Sequence, residues 1–173
     1  NGEAGRGLSL RPQQRRADDS APIEHLGEIH SSDSFRLAAL GRTPFGRARV
    51  RLEWEVKPLG SLFNGTVTQR SPTWNDSGTS GAALNEVVSG LSLSTVYHWR
   101  ARLLYDPATS PQASHSRWFT IPWNGWQEGD LRNLPCHDAD GDGFPLPGET
   151  WCRPGGETDC DDTHASVYPG ALQ

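Results

Sequence analysis

The segment Arg47-Ala-Arg-Val-Arg-Leu-Glu-Trp-Glu-Val56 decides the fold class, because its apolar and charged residues alternate along its length. Alternation places two sets of side chains on opposite faces of an extended strand. The apolar set is Val50, Leu52, Trp54 and Val56, and the charged set is Arg49, Arg51, Glu53 and Glu55. The pattern predicts a half-buried antiparallel strand.

Further strand patterns lie on both sides of this segment, and Gly-rich turn clusters separate them. The predicted strands are Phe35–Leu40, Ala82–Val88, Val96–Leu104 and Arg117–Ile121. The turn clusters are Gly41–Gly46, Gly60–Gly65 and Asn75–Gly81. Residues 34–123 show no helical periodicity. Several short strands with turns at short spacing predict an all-β sandwich.

One stretch carries a family resemblance, Gly90-Leu-Ser-Leu-Ser-Thr-Val-Tyr-His-Trp-Arg-Ala-Arg-Leu103. It resembles the E–F corner and F strand of fibronectin type III domains, and it is similar to immunoglobulin-like segments of bacterial surface proteins. The resemblance implies a fibronectin type III-like sandwich. It also implies that Leu91 plugs the core and that Tyr97 forms a tyrosine corner, with its hydroxyl bonded to the upstream backbone.

The composition divides the chain into four parts. We expect an N-terminal arm at 1–33, the sandwich at 34–123, a linker at 124–135 and an acidic, cysteine-containing metal-binding module at 136–173. Within the arm, only Leu8–Leu10 and Ile23–Ile29 read as strand fragments. The rest of the arm is rich in Gly and Arg and has little periodicity.

Charge is unevenly placed along the chain, whose net charge is −5. Residues 138–173 hold eight acids and one arginine, a local −7, whereas residues 1–137 hold thirteen acids and fifteen bases, a local +2. The asymmetry favours a cation-binding C-terminal module. No basic stripe lies outside the arm, which argues against nucleic acid as a partner.

The segment from Asp138 to Glu149 fits the calcium-loop pattern D-x-[DN]-x-[DN]-G-x5-E at every specified position. Its alternate carboxylates converge on one side of a curling loop, and Gly143 permits the sharp turn. The predicted ligands are Asp138, Asp140, Asp142, the backbone carbonyl of Phe144, and Glu149. This set of oxygen donors suits Ca²⁺. Prolines and glycines flank the loop, so we expect no EF-hand helices.

A second resemblance covers residues 138–171. The chain carries Asp138-Ala-Asp-Gly-Asp-Gly143, Cys152, Asp159-Cys-Asp-Asp162 and Val167-Tyr-Pro-Gly-Ala171. These elements are similar to a bacterial metal-binding motif family with the pattern DxDGDG, Cys, DCDD and VxPGA. The resemblance implies that Asp159, Asp161 and Asp162 are further ligands and that Cys152 and Cys160 form a disulfide.

The same resemblance keeps copper as an alternative metal, because relatives of the motif occur in a copper-binding surface protein of methane oxidisers. His137 and His164 are the local imidazoles that could bind it. Glu149 also has a competing reading, in which the acidic segment around Asp161 completes the calcium sphere and Glu149 stays on the surface.

The three cysteines all lie in the last 38 residues, which suggests a disulfide staple in a module too small to be held by core burial. Disulfides favour an extracellular or cell-surface location. No run of about 18 apolar residues is present, so we expect no membrane span. No signal peptide is visible, and we expect any export signal to have been removed.

No catalytic motif stands out, so we expect a protein that is not an enzyme. Gly78-Thr-Ser-Gly81 lacks the last glycine of a nucleophile elbow, and no HExxH or phosphate loop is present. Asn64-Gly-Thr66 and Asn75-Asp-Ser77 match the glycosylation sequon, a match that arises often by chance.

The sequence therefore predicts an extracellular calcium-binding structural module. A sharper version is a subunit of a surface fibre or filament, in which the arm adds a strand to a neighbour's sheet edge and calcium lies at the joint. The alternatives are a copper-binding surface protein and a carbohydrate- or partner-binding accessory domain of a secreted protein. Sugar stacking would be favoured by alignment on one open face of Trp74, Trp123, Trp126 and Trp151.

Overall fold

The computed structural model describes residues 12–121, 125, 128–133, 161, 163–164, 166 and 169–170. The described residues form nine strands and no helix. Accordingly, they include no helix long and apolar enough to cross a membrane. The strands are β1 (Gln13–Arg16), β2 (Gly27–Glu28), β3 (Phe35–Gly41), β4 (Arg49–Pro58), β5 (Gln69–Arg70), β6 (Asn75–Asp76), β7 (Ala82–Val88), β8 (Thr95–Tyr105) and β9 (Leu131–Asn133).

The strands form two sheets, as a β-sandwich requires. The first sheet has three strands in the order β1-β3-β7, and the second has the order β2-β9-β8-β4-β5 with β6 also paired to β4. Among the described strands, only β2 and β9 pair in parallel. The longest ladder joins β4 to β8, from Val50 opposite Tyr105 to Pro58 opposite Tyr97. Apolar side chains from both sheets pack in one core cluster.

Four of the predicted strands are confirmed, at β3, β4, β7 and β8. The predicted strand Arg117–Ile121 is not a continuous strand, and within it Phe119 makes one isolated bridge, to Ala101. A side chain interrupts the ladder there, because the Ser116 hydroxyl accepts the backbone N–H of Leu103 at 2.9 Å. The segment still lies along β8, although its pairing is irregular.

Residues 12–33 belong to both sheets, although the sequence analysis placed them in an arm. β1 pairs with β3, and β2 pairs with β9. Ile23 and Ile29 are buried in the core, and only Gly27–Glu28 of the predicted fragment Ile23–Ile29 is strand. The sequence of β1 is Gln-Gln-Arg-Arg, so no apolar alternation marks it.

A buried glutamine fixes β1 to the second sheet. The Gln14 side chain is 2% exposed, and its amide nitrogen donates to the backbone carbonyls of Glu24 at 2.9 Å and Asp130 at 2.7 Å. Its oxygen accepts from the indole N–H of the buried Trp99 at 3.0 Å. The Asp130 carboxylate accepts the backbone N–H of Trp99 at 2.7 Å. Buried polar groups require such partners, so this network fixes how the sheets face each other.

The expected tyrosine corner is confirmed. The Tyr97 hydroxyl oxygen accepts the backbone N–H of Ser92 at 2.6 Å, and both Leu91 and Tyr97 are buried. Ser94 adopts a left-handed backbone conformation, with φ at 54°, in the turn between them. The corner therefore ties the turn before β8 to the strand itself.

Candidate functional site

Of the predicted metal ligands, the structure describes only Asp161. Outside the described residues lie Asp138, Asp140, Asp142, Phe144, Glu149, Asp159 and Asp162, together with Cys152 and Cys160. Among the residues that are described, no three His, Cys, Asp or Glu side chains come together as a metal site.

The Asp161 carboxylate caps a short turn. One oxygen accepts the backbone N–H and the hydroxyl of Thr163, and the other lies 2.9 Å from the His164 ring nitrogen Nδ1. The Thr163 hydroxyl hydrogen bond lowers the pKa of Asp161 most, and His164 lowers it further. The carboxylate is therefore charged at neutral pH and can offer a lone pair to a cation. His164, the described imidazole of the copper alternative, is already bonded to it.

The charged face of β4 is buried only at its two glutamates, which corrects their expected exposure, whereas Arg49 on the same face stays exposed. Glu53 and Glu55 are 3% and 1% exposed. The cause is the register with β8, which places Arg102 opposite Glu53 and Arg100 opposite Glu55. Opposite charges directly across an antiparallel pair attract each other, and here they allow this face to be covered.

Both glutamates make close ion pairs on this face. Arg100 donates to Glu55 from Nε at 2.9 Å and from Nη2 at 2.7 Å, and Lys57 Nζ lies 3.7 Å from the same carboxylate. Arg102 Nε donates to Glu53, whose other oxygen lies 3.4 Å from Nη2 of Arg70. The buried carboxylates are thus matched by guanidinium groups, as burial of charge requires.

Burial and hydrogen bonding act in opposite directions on the pKa of Glu55, and the net shift is downward. Burial alone would raise this pKa, but the Arg100 hydrogen bonds and the backbone N–H groups of Asn64 and Gly65 lower it below its ordinary value. Glu55 is therefore charged in the folded chain. Its carboxylate holds both β8 and the loop between β4 and β5.

Aromatic rings complete this surface. Trp118 lies beside two guanidinium groups, with the Arg100 and Arg102 carbons 4.3 and 4.4 Å from its ring centre. Phe63 stacks on His98, with ring centres 4.2 Å apart, and lies 4.9 Å from the Arg100 carbon. Each cation–π contact contributes about 0.5–1 kcal/mol where exposed and more where water is excluded.

We refer to this surface as the outer-face ladder. Its members are Arg51, Glu53, Glu55, Phe63, Trp74, Arg100, Arg102 and Trp118. The ladder fastens two non-strand segments onto the second sheet, since Phe63 lies in the β4–β5 loop and Trp118 lies in the irregular segment along β8. Trp74 is half-buried beside Arg51, whose guanidinium carbon is 4.3 Å from its ring centre.

The placement of Trp74 weakens the sugar-stacking alternative, because an arginine already occupies one face of its ring. The other three tryptophans of that prediction, Trp123, Trp126 and Trp151, lie outside the described residues.

A shallow cavity of about 530 Å³ opens at one end of the ladder. The loop Leu59–Phe63 lines it together with His98 and Arg100. The Arg100 guanidinium is already bonded to Glu55, and the His98 ring nitrogen lies 2.9 Å from the Ser61 carbonyl. The Arg100 and His98 side chains that line the cavity are thus already engaged in contacts within the fold.

Sequence reasoning missed the ladder, although its signal was present. Glu53-Trp-Glu55 and Arg100-Ala-Arg102 both repeat a charge at every second position, with opposite signs. Only the strand register shows that the two runs face each other.

Comparison with protein-family models, curated proteins and solved structures gave no match for the chain.

Proposed function

We propose that this chain is a non-enzymatic, extracellular calcium-binding structural module, in which a stiff β-sandwich carries an acidic metal-binding module. The observation that carries the proposal is the spacing of carboxylates and glycines from Asp138 to Glu149, inside a segment with a local charge of −7. That spacing matches what the seven or so oxygens around Ca²⁺ require.

The described sandwich supports the structural part of this proposal. The last described strand, β9, is anchored at its end, three positions before the expected start of the acidic module at 136. The buried Asn133 amide donates to the Ser32 carbonyl at 3.0 Å and lies 3.4 Å from the Leu91 carbonyl. A firmly held strand end restricts where the following module can start. The outer-face ladder stiffens the same sheet, which suits a spacer.

The fibre version of the proposal rests on residues before Pro12. β1 is already paired within its own chain, so the part of the predicted arm from Gln13 to Arg16 is used by its own sheet. Strand donation to a neighbour would then come from 1–11. Addition of a strand to an exposed sheet edge is a common mode of protein assembly.

Thermal unfolding with and without Ca²⁺ tests the proposal. Extracellular calcium modules bind with Kd about 10⁻⁴–10⁻³ M, and a ligand at ~100-fold its Kd stabilises the folded state by about 2.7 kcal/mol. We therefore expect Ca²⁺ to raise the unfolding temperature by several degrees and a chelator to reverse the rise. Asp140→Ala should abolish the response, whereas Glu24→Gln, at an exposed sandwich carboxylate, should keep it.

Two outcomes would count against the calcium assignment. If Asp140→Ala responds like the unaltered chain, the loop is not the site. If metal analysis of the purified chain finds copper, and Cu rather than Ca²⁺ shifts the transition, the copper alternative replaces it.

A further inference from the structure

Three groups adjoin Asn64, two from the β4–β5 loop and one from strand β4. The first is Gly65, whose backbone N–H follows Asn64 directly and whose φ is +72°. The second is the Glu55 carboxylate, and the third is Thr66. Asn64, Gly65 and Thr66 are all exposed at the surface, whereas Glu55 is 1% exposed.

The Gly65 nitrogen is held by a charged acceptor. Its N–H donates to the two Glu55 carboxylate oxygens at 3.1 and 3.3 Å, and the Asn64 N–H donates to the first of them at 3.1 Å. A hydrogen bond from an amide N–H to a buried carboxylate is stronger than one to water and increases electron density on the nitrogen.

The Asn64 side-chain carbonyl is polarised at the same time. Its oxygen accepts the Thr66 backbone N–H at 3.1 Å and the Thr66 hydroxyl at 2.7 Å. Two donors aimed at one carbonyl oxygen stabilise the negative charge that develops there when the carbon is attacked. The nucleophile, the proton acceptor and the oxyanion donors thus come from three consecutive residues, 64–66, and from Glu55 in β4.

We propose that Asn64 is a site of self-modification, at which the fold promotes attack of the Gly65 nitrogen on the Asn64 side-chain amide. The Gly65 nitrogen forms a bond to Cγ of Asn64, and its proton passes to the Glu55 carboxylate. The bond from Cγ to Nδ2 breaks, and the nitrogen leaves as ammonia after that proton returns through solvent. Water then opens the resulting succinimide to an aspartate or isoaspartate at position 64.

The product would change the loop irreversibly. It adds a negative charge to the residue whose backbone N–H bonds to Glu55, and like charges repel. The isoaspartate route also adds a methylene to the backbone next to Phe63, which stacks on His98. The β4–β5 loop would loosen from the outer-face ladder as the chain ages, and the Asn64-Gly-Thr66 sequon would be lost.

Peptide mapping by mass spectrometry tests this proposal on the full chain, incubated at neutral pH for increasing times. The reference is a synthetic peptide covering 58–70, which has the same dipeptide without Glu55. We expect position 64 to convert several-fold faster in the folded chain, with succinimide as the intermediate, while Asn75 stays unmodified. A folded-chain rate equal to or below the peptide rate overturns the proposal.

Variants separate the roles of the neighbouring groups. Thr66→Ser keeps the hydroxyl and should modify at close to the unaltered rate, whereas Thr66→Ala should be several-fold slower; equal rates in this pair overturn the assigned oxyanion role. Glu55→Gln should also slow the reaction, in samples whose circular dichroism matches that of the unaltered chain. The Thr66 pair decides the question if Glu55→Gln does not fold.

Discussion

At the scale of single residues, the fold depends on polar groups that find one specific partner each. The Tyr97 hydroxyl and the Ser92 N–H are such a pair, 2.6 Å apart across five residues of chain. This hydrogen bond closes the turn before β8, and the turn places Leu91 in the core. An apolar replacement keeps the ring but loses that closure.

Tyr97→Phe should lower the free energy of unfolding by about 0.5–1.5 kcal/mol, which is the usual net worth of one hydrogen bond. Urea denaturation measures this directly. Leu93→Ala, at an exposed residue of the same turn, is the control and should change stability little. Equal stability of Tyr97→Phe and the unaltered chain would mean that solvent replaces the bond at no cost.

At the scale of strands, the pairing of β4 with β8 explains what the sequence predicted and what it did not. Alternation identified both strands, because inward apolar residues repeat with period two. The same alternation misassigned Glu53 and Glu55, since a glutamate faces water unless a cation lies directly opposite. Pairing register depends on long-range contacts, and no local pattern reports it.

Glu55→Gln should lower stability at neutral pH by about 3–5 kcal/mol, because it leaves Arg100 and Lys57 without their buried anion. The pKa of Glu55 is lowered by folding from its ordinary 4.5. The stability linked to this shift is therefore present above pH 4.5 and is lost as the pH falls through the folded-state value.

Denaturation curves over a series of pH values check both parts of this prediction. The unaltered chain should lose stability on acidification more steeply than Glu55→Gln, and Glu24→Gln should follow the unaltered chain. If all three proteins lose stability equally as the pH falls, folding does not change the pKa of Glu55.

At the scale of the whole molecule, the sequence predicted two sheets and a core but not how the chain enters them. β1 carries no apolar residue, and its one inward side chain is Gln14, so period-two hydrophobicity could not find it. The predicted calcium ligands come from the spacing of one loop and from a motif resemblance, and of these only Asp161, which the resemblance implies, lies in the described part of the chain. Spacing identifies donor atoms but does not give their distances.

Two deletions in the N-terminal region can distinguish a role in folding from a role in assembly, and they test the fibre proposal. Gln14 bonds to Trp99 and to the carbonyl of Asp130, so deletion of 1–16 leaves those buried groups without their partner. An unsatisfied buried polar group costs about 1–3 kcal/mol.

Deletion of 1–11 leaves this network intact, so the shortened chain should unfold at the same temperature as the full chain. Deletion of 1–16 should lower the unfolding temperature by several degrees. Sedimentation velocity in Ca²⁺ then reports assembly: if the arm donates a strand, the full chain forms oligomers and the 1–11 deletion stays monomeric. A monomeric full chain at high concentration would remove the arm from any role in assembly, and the calcium module would have to act within a single chain.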